Sequence, residues 1–148
     1  MHNFKQFPEL TDQQMILYYW DSPHKQITED FRAKVVGVHD GDTIKVEWVE
    51  RDFPFTVRLS DISAPEPKEP GGIAGRVWLS ERILDEEVDV VINPENRVDR
   101  WGRILGNIMW RGMSMNDEIV KAGRAVPWRE RHEVLLPDFS KELEDFII

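Results

Sequence analysis

The feature that most constrains the fold is a series of segments in which apolar residues recur at every second position. Two such segments occupy residues 33–38 and 43–49. Alternate side chains of a β-strand lie on one face, so both segments are predicted to be half-buried strands. The apolar residues of the repeat are Val36, Val38, Ile44, Val46 and Trp48. Residues 39–42, His-Asp-Gly-Asp, separate the two segments, and glycine after aspartate is typical of a tight hairpin turn.

The rest of the chain continues this pattern and adds helices. Further strands are predicted at 55–59, 88–92 and 104–109, and a loop rich in Pro and Gly covers residues 60–75. Helices are predicted at 73–84, from Ser114 to the residue before Gly123, and at 138–147. The first of these helices is expected to bury Ile73, Val77, Ser80 and Leu84. Five strands in antiparallel succession, with a helix after the third, resemble a small closed barrel of the oligonucleotide-binding kind. The predicted fold class is therefore α+β, a five-stranded OB-fold-like β-barrel with about three helices.

Residues 1–30 precede this pattern and are predicted to form an N-terminal extension with one short helix, attached to a main domain at residues 31–148. Thr11 and Gln14 have the spacing of a helix capping box, and residues 15–20 form a dense apolar run. Two interpretations of this run stay open. The helix packs on the barrel, which we favour, or it docks on another protein.

Composition excludes several kinds of site. The 148 residues include no cysteine, so disulfides and thiolate metal sites are excluded. The four histidines lie far apart along the chain, without the short spacing that places two imidazoles on one zinc ion. The first residues lack a basic leader followed by an apolar run, and no apolar stretch reaches membrane-spanning length. We therefore expect a soluble, cytoplasmic protein with no membrane partner, and a monomer.

The net charge of −9 argues against a generally basic surface of the kind that binds nucleic acid without sequence preference. Residues 31–128 come closest to neutrality, with 14 basic and 17 acidic side chains, and most of these cations are arginines. Arginine can bind phosphate through two parallel hydrogen bonds. If nucleic acid binds, we expect it to bind at one focused site.

Four segments carry residues suited to phosphodiester chemistry. They are residues 40–43 (Asp-Gly-Asp-Thr), Arg58 with residues 63–66 (Ser-Ala-Pro-Glu), residues 99–103 (Asp-Arg-Trp-Gly-Arg), and the helix at 115–123. Each segment alone has an ordinary interpretation, such as a hairpin turn or a surface ion pair. In this order and at this spacing they resemble the staphylococcal nuclease family over residues 31–128.

This resemblance implies a site for hydrolysis of DNA, RNA or both. Arg58 and Arg103 correspond to the arginines on the scissile phosphate, and Glu66 to the glutamate that orients water or acts as general base. Asp42 corresponds to a metal carboxylate, and Ala64 to the residue that offers its backbone carbonyl to the metal. Calcium is the usual metal of the family, with Mg²⁺ and Mn²⁺ as alternatives. The resemblance also implies substrate contacts by Arg100 and Trp101. Trp128 lies near the positions where the family has further aromatic residues in its substrate pocket. Trp101 and Trp128 are equally compatible with base stacking and with a place in the core.

The sequence departs from the family at Ser63, where the second metal carboxylate is expected. Asp61 lies two positions earlier, which on an extended chain places it on the same face, and Asp40 is also near, so either could substitute. Three hypotheses follow. The first is a metal-dependent endonuclease. The second is a catalytically impaired nucleic-acid-binding module, and the third, which we favour least, is a protein-interaction component that uses the acidic surface and the N-terminal helix.

Overall fold

The computed structural model describes residues 2–4 and 7–131, and within them five strands close into a barrel. The strands are β1 (Phe31–Asp40), β2 (Thr43–Glu47), β3 (Phe55–Leu59), β4 (Ile62–Ser63), β5 (Glu87–Val91), β6 (Ile104–Trp110), β7 (Met113–Ser114) and β8 (Val126–Pro127). The sheet order is β3-β2-β1-β5-β6-β7, and a further β3–β6 pairing closes the barrel. The predicted α+β barrel is confirmed. The closing pair is parallel, a pairing that antiparallel succession along the chain does not reveal.

The helices are α1 (Asp12–Tyr18), α2 (Gly72–Ile83) and α3 (Met115–Lys121), with short 3₁₀ turns at Tyr19–Asp21 and Trp128–Glu130. The strands β4, β7 and β8 were not predicted, because two residues are too few to show a periodicity. None of the helices in the described part of the chain is both long and apolar enough to cross a membrane. The helix predicted at 138–147 lies outside the described residues.

A bulge in β1 changes which side chains of this strand face the core, so the face predicted from the sequence differs from the observed one. Val35 is fully buried and Val36 is half-buried, so the prediction that Val36 faces inward is wrong. The pairing of β1 with β2 shifts register between Val35 and Gly37 and again between Val38 and Asp40. A bulge inserts one unpaired residue and re-aims the side chains that follow it. As a result Asp40, at the end of β1, is buried with only 1% exposure.

The helix α2 packs on the barrel through a face different from the one that the sequence predicted. Ile73, Val77 and Leu84 are exposed by 53%, 47% and 41%, so the expected apolar face is wrong. The buried residues are Gly72, Ala74, Gly75, Leu79 and Ile83. Small residues allow close approach of backbones: a Cβ added at Gly41 would lie 3.6 Å from the Gly75 Cα and 2.9 Å from the Ala64 Cβ. The hairpin turn is therefore packed tightly between α2 and the loop that follows β4.

The N-terminal extension attaches to the barrel through residues that flank α1. The predicted capping box is confirmed by reciprocal hydrogen bonds between Thr11 and Gln14. No residue of α1 is buried, and Ile16, Leu17 and Trp20 are 86%, 71% and 91% exposed. The interpretation that this apolar run packs on the barrel is therefore wrong. The residues of the extension that are buried are Glu9, Leu10, Gln26 and Ile27.

Candidate active site

The β1–β2 hairpin brings two aspartates into a buried position. The backbone N–H of Asp42 donates to Asp40 Oδ1 at 3.0 Å, an interaction typical of aspartate in tight turns. Burial of the side chain, followed by the nearby carboxylate of Asp42, raises the pKa of Asp40 from 3.8 to about 8, and Glu66 adds to this effect. The hairpin therefore concentrates more negative charge than its surroundings compensate.

Asp42 joins the hairpin to β3 and to the loop after β4. Its Oδ2 accepts hydrogen bonds from Arg58 Nη2 at 3.2 Å and from the backbone N–H of Ala64 at 2.8 Å, and its Oδ1 accepts one from the Thr43 hydroxyl at 2.9 Å. The Arg58 side chain is 12% exposed and also donates to the carbonyls of Leu59 and Ile62 at 3.0 and 3.1 Å. These contacts fix the guanidinium in one orientation.

Glu66 lies at the mouth of the same site. Its side chain is 66% exposed, and its Oε2 is 4.0 Å from Nε2 of His39, which is itself 3.9 Å from Asp40 Oδ2. The Glu66 backbone N–H donates to Glu69 Oε1 at 2.8 Å, which fixes the backbone of this loop at Glu66. One ligand atom each of His39, Asp40 and Glu66 can be chosen so that all three lie within 4.8 Å of one another.

Arg103 directly precedes β6, next to the point where β6 begins to pair with β3. Because Ile104 pairs with Val57 in the parallel β3–β6 ladder, Arg103 lies level with Thr56, two positions from Arg58. Arg103 Nε donates to Asp99 Oδ2 at 2.6 Å. The Arg103 side chain is 33% exposed. The register thus brings Arg103, at the start of β6, towards the strand that carries Arg58.

Two tryptophans flank these arginines. Trp101 is 52% exposed, with the guanidinium carbons of Arg100 and Arg103 at 4.2 and 5.3 Å from its ring. Trp128 is 44% exposed, and the Arg58 guanidinium carbon lies 5.1 Å from its ring. Half-exposed rings beside cations are not core residues, so the alternative that placed them in the core is wrong. Their contact with substrate stays a prediction.

Ser63 and Asp61, which the sequence suggested as further calcium ligands, lie at different places in the backbone. Ser63 is half-buried and pairs through β4 with Val126. Asp61 has a φ of 63°, and its carbonyl accepts a hydrogen bond from the Trp128 N–H at 2.8 Å. The chain at Asp61 is therefore not extended, and the premise that placed its side chain on the face of Ser63 is wrong. The metal roles of Asp42, Ser63, Ala64 and Asp61 stay predictions.

The structure thus links Asp40, Asp42, Arg58, Ala64 and Glu66 by direct contacts or shared neighbours. Arg103 is related to them only through the β3–β6 register, and its own contacts are with Asp99 and Trp101. The sequence missed His39. It was considered only as a member of a histidine pair, whereas its contacts are with carboxylates. Its position next to Asp40 in the predicted hairpin was the one signal that could have found it.

Comparison with known proteins adds an independent line of evidence. The family described as Staphylococcal nuclease homologue matches residues 56–143. A micrococcal nuclease from Shigella flexneri is 46% identical over 77 residues, which are 52% of this chain and 41% of that protein. An uncharacterized endonuclease from Escherichia coli is 32% identical over 130 residues, 86% of this chain and 80% of the relative. The protein ParB of E. coli is 38% identical over 86 residues, 58% of this chain and 45% of that protein.

Proposed function

Since this chain belongs to the family of staphylococcal nuclease homologues, we propose that it is a metal-dependent endonuclease that hydrolyses phosphodiester bonds of DNA, RNA or both. Relatives named micrococcal nuclease and endonuclease support the proposal. The observation that carries it is the Arg58–Asp42–Ala64 network, because a guanidinium with three fixed acceptors is already oriented before substrate arrives.

The proposed chemistry is attack of water on phosphorus. Glu66 is exposed at the mouth of the site, where its carboxylate can accept a proton from the attacking water. As the new oxygen–phosphorus bond forms and the bond to the leaving oxygen breaks, negative charge grows on the phosphoryl oxygens. Arg58, on β3, and Arg103, just before β6, stabilise that charge, and the leaving oxygen takes a proton from solvent.

The donor groups at the family positions do not fit calcium well. Calcium prefers six to eight oxygen ligands. Both oxygens of Asp42 already accept hydrogen bonds, Arg58 places a positive charge 3.2 Å from one of them, and Ser63 supplies no carboxylate. The proposed acid–base and charge-stabilising steps therefore use protein groups alone.

The test compares cleavage by the wild-type chain with cleavage by Glu66→Gln. Single-stranded DNA, duplex DNA and RNA are incubated with Ca²⁺, Mg²⁺, Mn²⁺ or EDTA. Loss of a general base is expected to lower kcat by roughly 10²–10⁴-fold. The matched control is Glu47→Gln, an exposed glutamate at the opposite end of β2 from the hairpin, which should cleave like wild type. Cleavage that persists in EDTA or in Glu66→Gln would contradict the proposal.

A second candidate function is a nucleic-acid-binding module without turnover. The substitution of serine at position 63 and the full set of hydrogen bonds on Asp42 favour this alternative. Binding of the same oligonucleotides without cleavage under any metal would support it. Absence of both binding and cleavage would contradict both functions.

A further inference from the structure

The cluster formed by His39, Asp40 and Glu66 has the composition of a metal site that differs from the family pattern. Its members come from the end of β1 and from the loop after β4. His39 Nε2 lies 3.9 Å from Asp40 Oδ2 and 4.0 Å from Glu66 Oε2. Asp40 is buried with its side chain 2% exposed, whereas the other two side chains are 64% and 66% exposed. The cluster is thus open to solvent on one side and anchored on the other.

The spacing of these atoms suits one shared ion. Donor atoms that bind a divalent ion at about 2.0–2.4 Å can lie at most roughly 4.8 Å apart. The two measured distances to the imidazole nitrogen fall inside this limit, and all three donor atoms lie within 4.8 Å of one another. Because His39 and Glu66 are exposed, their side chains are free to adjust around an ion held by Asp40, and solvent can supply the remaining ligands.

The charges around the cluster favour a cation there rather than at Asp42. Asp42 is paired with Arg58 at 3.2 Å, so its charge is already compensated. Within the described residues, the basic group within 4.0 Å of Asp40 or Glu66 is His39. Once Asp40 and Glu66 are both ionised, two carboxylates stand beside one imidazole, and a divalent ion neutralises their excess negative charge.

We propose that this chain binds its divalent metal through His39 Nε2, Asp40 and one oxygen of Glu66, Oε2, and that the ion is a first-row transition metal such as Mn²⁺ rather than Ca²⁺. The other carboxylate oxygen of Glu66 then stays available as the general base. Imidazole nitrogen is a common ligand of transition metals, whereas calcium takes oxygen ligands. The histidine thus supplies a third side-chain ligand in a chain where Ser63 offers no carboxylate. The inference rests on the proposed nuclease function for its biological purpose, but not for its geometry.

The test measures metal binding directly. Mn²⁺ is titrated into the metal-free full chain, and the free-ion signal is followed by electron paramagnetic resonance. Pulsed measurements on the bound ion then detect coupling to the ¹⁴N of an imidazole. We expect this coupling in the wild type and its loss in His39→Gln, together with a Mn²⁺ affinity lowered by about tenfold or more. The matched control is His24→Gln, a histidine of the extension whose ring bonds to the Pro8 carbonyl, and it should keep both signals. Circular dichroism verifies that both variants fold.

Three results would overturn the inference. They are a bound Mn²⁺ without nitrogen coupling in the wild type, His39→Gln that binds Mn²⁺ like wild type, and displacement of Mn²⁺ by an equal concentration of Ca²⁺. The nuclease proposal fails separately. Nitrogen coupling without cleavage of any oligonucleotide contradicts the nuclease proposal and supports the metal site. Cleavage that depends on Ca²⁺ and is unaffected by His39→Gln supports the nuclease proposal and contradicts the metal site.

Discussion

The buried ion pair between Glu9 and Arg51 gives a sharp test of how the extension is attached. The two side chains are 1% and 0% exposed and contact each other directly. Arg51 also donates to the Lys25 carbonyl at 2.7 Å. Glu9→Gln keeps the size of the side chain and removes its charge, which leaves a buried guanidinium without a counter-ion.

The expected loss follows from the remaining partners of Arg51. Removing one member of a buried pair costs about 3–5 kcal/mol of unfolding free energy. The guanidinium carbon lies 4.4 Å from the Phe55 ring centre and 5.3 and 5.7 Å from those of Phe53 and Trp48. These rings still stabilise the cation, so we expect the lower end, about 3 kcal/mol, which lowers Tm by roughly 10 °C in a chain of this size.

The assay is urea unfolding followed by tryptophan fluorescence and circular dichroism. The matched control is Glu50→Gln, because Glu50 forms an exposed pair with Lys25 at 3.4 Å with side chains 49% and 55% exposed. An exposed pair contributes about 0–1 kcal/mol. The double variant Glu9→Leu with Arg51→Met should recover most of the loss, since neither charge is then buried. Equal, small effects of Glu9→Gln and Glu50→Gln would refute the reasoning.

Three further predictions concern the site. In chelator, the free energy of unfolding should fall as pH rises from about 4 to 8, because Asp40 keeps its proton in the folded state up to about pH 8 but releases it near its ordinary pKa of 3.8 when unfolded. Urea titrations across this range should show that Asp40→Asn removes that part of the slope. Ser63→Asp adds a carboxylate at the family position, so calorimetry should show tighter Ca²⁺ binding by about tenfold, and unchanged binding and cleavage would contradict the role assigned to this position. Trp101→Ala should weaken binding of single-stranded DNA by roughly 5- to 150-fold through lost stacking, measured by fluorescence anisotropy, whereas Trp20→Ala, on the exposed face of the extension, should not.

The barrel was predictable because periodicity is a local property of the chain. Ile44 and Val46 recur at every second position and are both buried, as expected. The bulge in β1 was not predictable, because Val35 and Val36 are equally apolar and only pairing with β2 decides which one faces inward. The prediction of the buried face of α2 was wrong for a related reason. It packs through Ala74 and Gly75, which carry little hydrophobic signal, while larger side chains such as Val77 stay at the surface.

The candidate site likewise has parts that the sequence could predict and parts that it could not. Arg58 lies on β3 and Arg103 directly precedes its parallel partner β6, but the two are 45 positions apart in sequence, and only the family resemblance joined them beforehand. The place of His39 depends on the bulge that precedes it, which turns Asp40 inward and leaves the histidine at the surface. Residue spacing in the sequence does not reveal a bulge, so it could not predict that Asp40 faces inward while His39 stays at the surface.

The extension and the site also meet in a way that no local pattern reveals. Gly102, between Trp101 and Arg103, has a φ of 81°, and a Cβ added there would lie 3.3 Å from the Glu9 carbonyl oxygen and 3.5 Å from the Phe7 Cβ. Arg97, buried at the start of the same loop, donates to the Leu10 carbonyl at 3.2 Å. The extension therefore packs directly against the loop that carries two proposed substrate-binding residues and one proposed catalytic arginine. Loosening it through Glu9→Gln should raise KM for a polynucleotide even under conditions in which the barrel stays folded, because the loop loses the surface that holds it.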